Sequence, residues 1–170
     1  MKLRKFIIAL AAFCLPLGAS AAPGHDHSHD AKPEWAELFG DASLPAVWQS
    51  TTASIENIST ALAAKKMDGV ADWAETIHLA SHALLDQVKL PDAERQKRLD
   101  GALKQAAKLA DEVLDGANHH EPDQTAAAFK RLQAAITLAK ARLPKEITEA
   151  AAAAPRFAKA LKHDAGHKKH

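Results

Sequence analysis

Tyrosine is absent from this 170-residue chain, and cysteine occurs once, as Cys14. That cysteine lies in an apolar run that reads as a cleavable export segment. The mature protein is therefore expected to hold no disulfide, no thiolate metal site, no cysteine nucleophile and no covalently attached c-type haem. A lipoprotein anchor at Cys14 is also excluded, because Phe13 stands where a small residue is required. Glycine is sparse: only Gly69 and Gly101 interrupt the stretch from Val47 to Asp115. With abundant alanine, this is a helical composition. A strong charge of either sign is missing as well. The formal net charge is +1, and it moves to about −2 if Lys2, Arg4 and Lys5 leave with the export segment. A nearly neutral chain with interspersed charges carries no electrostatic footprint for nucleic acid. No serine–histidine–acid arrangement, phosphate-cradling glycine loop or paired-carboxylate signature stands out, so the chain reads as non-enzymatic.

The N-terminus has the three parts of a secretory signal peptide. Lys2, Arg4 and Lys5 form the positive region, residues 6–17 the apolar region, and Ala19-Ser20-Ala21 the small-residue cleavage site. The apolar run is shorter than the ~20 residues of a membrane span, and no later segment replaces it. Cleavage is expected after Ala21. Cutting one residue later would put Pro23 first, a poor arrangement for the peptidase, although Pro23-Gly24-His25 could then bind copper through the amino terminus. The periplasm of a two-membrane bacterium is the expected compartment.

Apolar stripes predict an all-α fold. Trp48, Thr51, Ile55, Ile58 and Leu62 recur at spacings of three and four, and Val70, Trp73, Ile77, Ala80 and Leu84 form a second stripe. Lys66-Met67-Asp68-Gly69 separates them. Pro91 is expected to open a third helix with Leu99, Leu103, Ala106, Ala110 and Val113 on one face, ended by Gly116. Pro122 opens a fourth, with Phe129, Leu132, Ile136, Ala139 and Leu143, before Pro144 stops it. Short connections favour an antiparallel up-down-up-down four-helix bundle. The two hairpins are alike in length and punctuation, as a duplicated unit would be. A weaker fifth helix, about 146–161, is expected to pack outside the bundle or to fray, with Pro155 interrupting it. The expected organisation is a signal peptide at 1–21, a His-rich leader at 22–43, the bundle at 44–144, an accessory helix at 145–162 and a His-rich tail at 163–170, with disordered termini. In the leader, Trp35, Leu38 and Phe39 are able to fold back on the bundle.

The chain holds ten histidines, most of them away from these stripes. Neutral imidazole is a common ligand for borderline divalent metals, so the distribution points to Zn²⁺, Cu²⁺, Ni²⁺ or Co²⁺. His25, His27 and His29 alternate with Asp26, Ser28 and Asp30 on backbone that must be ordered to bind, so their affinity is expected to be modest. The same run also suits a solvated leader. His163, His167 and His170 form a sparser cluster among Lys162, Lys168 and Lys169, whose charges oppose cations. His78 and His82 lie one helical turn apart and can chelate one ion, or equally be two surface imidazoles without a ligand. They lack the intervening glutamate of a zinc hydrolase. His119 and His120, with Glu121 and Asp123, could join a site at the bundle end. More plainly, Glu121 or a neighbour caps a helix and the acids complement its dipole. No histidine falls on a core stripe and Met67 falls at a turn, which disfavours b-type haem.

The stretch 54–85, with Leu62-Ala63-Ala64-Lys65-Lys66-Met67-Asp68-Gly69-Val70 leading to Glu75-Thr76-Ile77-His78, resembles small periplasmic helical-bundle proteins found with bacterial heavy-metal efflux systems. Ala117-Asn118-His119-His120 and Phe129-Lys130-Arg131-Leu132 are similar in outline. The resemblance covers about 100 residues without an invariant motif, and it carries over His78 alone as a matching position. It implies a metal-resistance context, with divalent ions and periplasmic efflux components as partners. The expectation is a periplasmic protein that binds or buffers divalent metal. The alternative is a periplasmic interaction or chaperone-like helical protein whose histidines are incidental.

Overall fold

The structure is a computed structural model, and it describes residues 32–154. The expected signal peptide, the His25–His29 run, the end of the accessory helix and the tail with His163, His167 and His170 lie outside the described residues. Those described form six α-helices and no strand. They are α1 (Trp35–Phe39), α2 (Leu44–Ala63), α3 (Val70–Gln87), α4 (Ala93–Asn118), α5 (Pro122–Lys140) and α6 (Lys145–Ala153). No described helix is long and apolar enough to cross a membrane.

Ser43 starts α2, its Oγ accepting from the Ala46 backbone N–H at 3.4 Å, with Pro45 in the first turn where no N–H is missed. Trp48, Thr51 and Ile58 are buried as the stripe predicts, while Ile55 and Leu62 pack at the core's edge. Buried Thr51 satisfies its hydroxyl locally, donating to the Val47 carbonyl at 3.1 Å. After α2 the chain turns through Lys65 at φ 53° and Gly69 at φ 78°. Gly69 is required twice over, since its left-handed backbone favours glycine and a Cβ there would come within 3.1 Å of the Trp73 ring.

Helix α3 is buried over a wider arc than its stripe predicts, because it packs against α1, α2 and α4 together. Leu79, Ser81 and Ala83 are covered as well as Ile77, Ala80 and Leu84. Trp73, expected in the core, is only partly buried and spends its ring against Gly69.

Two boundaries of α4 differ from expectation. Pro91 precedes the helix instead of opening it. Asp92 is the N-cap, accepting from the Arg95 N–H at 2.7 Å, and Gln96 reaches back to the Leu90 N–H at 2.6 Å. At the other end, Gly116 does not terminate the helix. It is buried, and a Cβ there would stand 2.7 Å from Thr125 Oγ1, so its role is close approach of α5. The stop comes at His120, which takes the left-handed conformation at φ 56°. The His120 N–H then bonds to the Ala117 carbonyl at 3.2 Å and the Glu121 N–H to the Gly116 carbonyl at 2.9 Å, closing a Schellman motif.

Helix α5 begins with Pro122 in its first position, and Phe129, Leu132, Ile136 and Ala139 are all buried. Glu121 precedes it without a side-chain capping bond. The principal packing pairs are α2 with α3, α3 with α4, and α4 with α5. Against α2, the larger neighbour from the C-terminal half is α6, and α5 touches α2 only slightly. Instead of fraying, α6 buries Ile147 and Ala151, and Gln49 Nε2 on α2 donates to the Ala154 carbonyl at 3.1 Å.

Candidate functional site

On α3, His78 and His82 project one turn apart, as i and i+4 on a helix must. Their ring centroids are 4.7 Å apart, with the planes tilted by 51°. His78 is 25% exposed and His82 more so, because His78 leans toward α4. There its Nδ1 lies 2.6 Å from Asp111 Oδ1. Nδ1 itself is buried, and the carboxylate lies off the straight N–H direction, so the contact has ion-pair distance without hydrogen-bond alignment.

The two imidazoles line a recess of about 190 Å³ together with Pro33, Glu34, Trp35, Leu79 and Asp86. Pro33, Glu34 and the first residue of α1, Trp35, form its other wall. Buried Phe39 holds α1 against the core, and Trp35 Nε1 donates to Asp86 Oδ2 at 2.7 Å. Asp86 continues the row of His78 and His82, four residues beyond His82. The chemistry on offer is two imidazole nitrogens beside carboxylates, on rigid backbone. Two nitrogens do not fill a four-coordinate shell. Among the described residues, no three His, Cys, Asp or Glu side chains gather closely enough to hold an ion. Glu34 and Asp86 line the recess without joining the pair.

The other histidines in the described region stand apart. His119 ends α4, with Nδ1 2.9 Å from the Asp115 carbonyl and 3.2 Å from Asp115 Oδ1. The backbone carbonyl, and then the Asp115 carboxylate, hold its pKa above the ordinary imidazole value of 6.5. His120, beside it, is exposed on left-handed backbone. Eight residues separate Asp111 from His119 along α4, about 12 Å of helix rise, so this turn lies well away from the recess. The structure thus brings His78 and His82 together, adds Asp111, and leaves His119 and His120 at the end of α4 with Asp115. His25, His27, His29, His163, His167 and His170 are outside the described residues.

Sequence reasoning missed Asp111, Asp86 and Glu34 as neighbours of the pair. Asp86 carried a signal in its i+4 spacing from His82. Asp111 carried none beyond its place next to Ala110 on a core stripe, because pairing it with His78 needs the register of α3 against α4. No family model, curated protein or solved structure matches the chain. The resemblance to efflux-associated bundles therefore rests on its residues alone.

Proposed function

We propose that this is a non-enzymatic periplasmic protein that binds and buffers divalent metal ions, among Zn²⁺, Cu²⁺, Ni²⁺ and Co²⁺, beside a heavy-metal efflux system. In this reading α2 to α5 form an up-down-up-down four-helix scaffold, with α1 and α6 laid against it. The histidine-rich segments at either end capture ions, and the scaffold offers one weaker, fixed site. The observation that carries the reading is the His78/His82 pair, two imidazoles 4.7 Å apart in a recess with an aspartate behind one of them. Helix packing fixes that spacing before any ion arrives, so binding there need not order the chain. The remaining coordination positions would fall to water or to a partner's side chains.

Calorimetric titration of the mature chain with each of the four ions tests the proposal. Binding is expected, and it weakens as pH falls through the ~6.5 region where imidazole takes up protons. Removing residues 25–30 is expected to lower the stoichiometry with helicity and melting temperature unchanged, since that run has no apolar side chain to bury. Absence of heat with all four ions would leave the interaction or chaperone-like reading in its place.

A further inference from the structure

Asp111 lies on a different helix from the imidazole pair, 33 positions along the chain from His78, yet one of its carboxylate oxygens comes within 2.6 Å of His78 Nδ1. A neutral imidazole carries its proton on one nitrogen and its lone pair on the other. An ionised carboxylate can only accept. At 2.6 Å an Nδ1 lone pair would face a carboxylate lone pair, which is repulsive, whereas an Nδ1 proton would be attracted. Burial points the same way. Nδ1 is shut off from solvent between the helices, so an arriving ion cannot reach it. Only Nε2 remains for coordination.

We propose that Asp111 is a positioning residue for the imidazole pair: it holds His78 in the Nδ1–H tautomer, so that the Nε2 lone pair is presented to a divalent cation shared with His82. The inference rests on the reading of His78 and His82 as a cation site. It adds a carboxylate behind the ligand, which fixes the ring's orientation. The off-line geometry of the present contact is part of the picture. Alignment of Nδ1–H with Oδ1 requires the ring or the carboxylate to turn, and a cation on Nε2 would favour that bond.

The test uses the mature chain with ¹⁵N-labelled histidine, as wild type, Asp111→Asn and Asp111→Ala. Long-range ¹H–¹⁵N spectra report the His78 tautomer without metal, and the His78 and His82 signals then follow a Zn²⁺ titration. Wild type is expected to be Nδ1–H. Asn at 111 keeps that tautomer through its amide oxygen, while Ala releases the ring toward the Nε2–H form. Zn²⁺ affinity at the pair is expected to fall about 10–100-fold in Asp111→Ala and less in Asp111→Asn. An Nε2–H tautomer in wild type, or an Ala variant that binds as tightly as wild type, overturns the role of Asp111. If the tautomer is as expected but neither histidine responds to Zn²⁺, the cation site itself falls and the positioning role goes with it. The two failures are distinguishable because the tautomer is read before metal is added.

Discussion

Two histidine pairs in this molecule each set an Nδ1 beside an aspartate, and their surroundings differ. At His78 the aspartate comes from another helix, the nitrogen is buried, and a second imidazole stands 4.7 Å away. At His119 the aspartate is four residues back on the same helix, both side chains are about two-thirds exposed, and the nearest partner is a backbone carbonyl. The first arrangement is held by helix packing and directs a lone pair. The second closes a helix end in open water, where charge is screened and a proton is easily gained or lost. The residue types alone do not separate a ligand from a cap. What separates them is which group holds the other ring nitrogen.

The largest expected difference between the two pairs is in metal-dependent melting. At a Zn²⁺ concentration a hundredfold above the dissociation constant, one site stabilises the fold by about 2.7 kcal/mol. Replacing His78 and His82 with alanine should abolish that site's share of the rise in melting temperature, and replacing His119 and His120 should keep it. Equal increments in the two double variants would erase the distinction.

Next in size is the turn itself, whose integrity is assigned to backbone and packing and not to its imidazoles. Gly116→Ala would drive a methyl to within 2.7 Å of Thr125 Oγ1. The expected cost is about 1–3 kcal/mol, measured by denaturant unfolding. Gly101→Ala on the same helix meets nothing within 4 Å and should gain about 0.5–1 kcal/mol. A tolerated Gly116→Ala would mean that α4 and α5 are not in close approach there.

A smaller gain is expected from His120→Gly. His120 sits at φ 56°, where a side chain costs roughly 1–2 kcal/mol that glycine avoids. After subtracting glycine's extra entropy in the unfolded chain, about 0.5 kcal/mol of stabilisation should remain. A destabilised variant would show that the His120 ring makes a contact worth more than its backbone strain.

The smallest effect belongs to pH. His119 has a raised pKa in the folded state, so its contribution is fully present below the unfolded value, about 6.5, and is lost as pH rises through the higher folded value. The stability difference between wild type and His119→Gln should therefore shrink on going up through that window. A difference that grew with pH would reverse the assigned sign.

The helices were legible because each apolar stripe depends only on its own 3.6-residue period. Val70, Ile77, Ala80 and Leu84, or Phe129, Leu132 and Ile136, are buried where that period puts them. What the period does not encode is which helix lies opposite and in what register. That is why Asp111 went unseen beside His78, and why α6 was not expected on α2. The misreading of Gly116 has a different origin. Glycine near a helix end signals a stop when the backbone needs a positive φ, but here it signals a neighbour too close for a side chain. Both demands leave the same letter in the sequence.

The seat of α6 on α2 also shapes the time course of folding. The large interfaces, α2 with α3, α3 with α4 and α4 with α5, join helices adjacent in the chain, so they close short loops and should form quickly. The bond from Gln49 to Ala154 spans 105 residues and gathers its loop-closure cost only after the hairpins are in place. Contacts that form after the transition state leave the folding rate almost untouched and act on the rate of unfolding. The short helix at the end of the described chain is therefore expected to act as a clasp: its loss should leave the folding rate almost unchanged and speed unfolding.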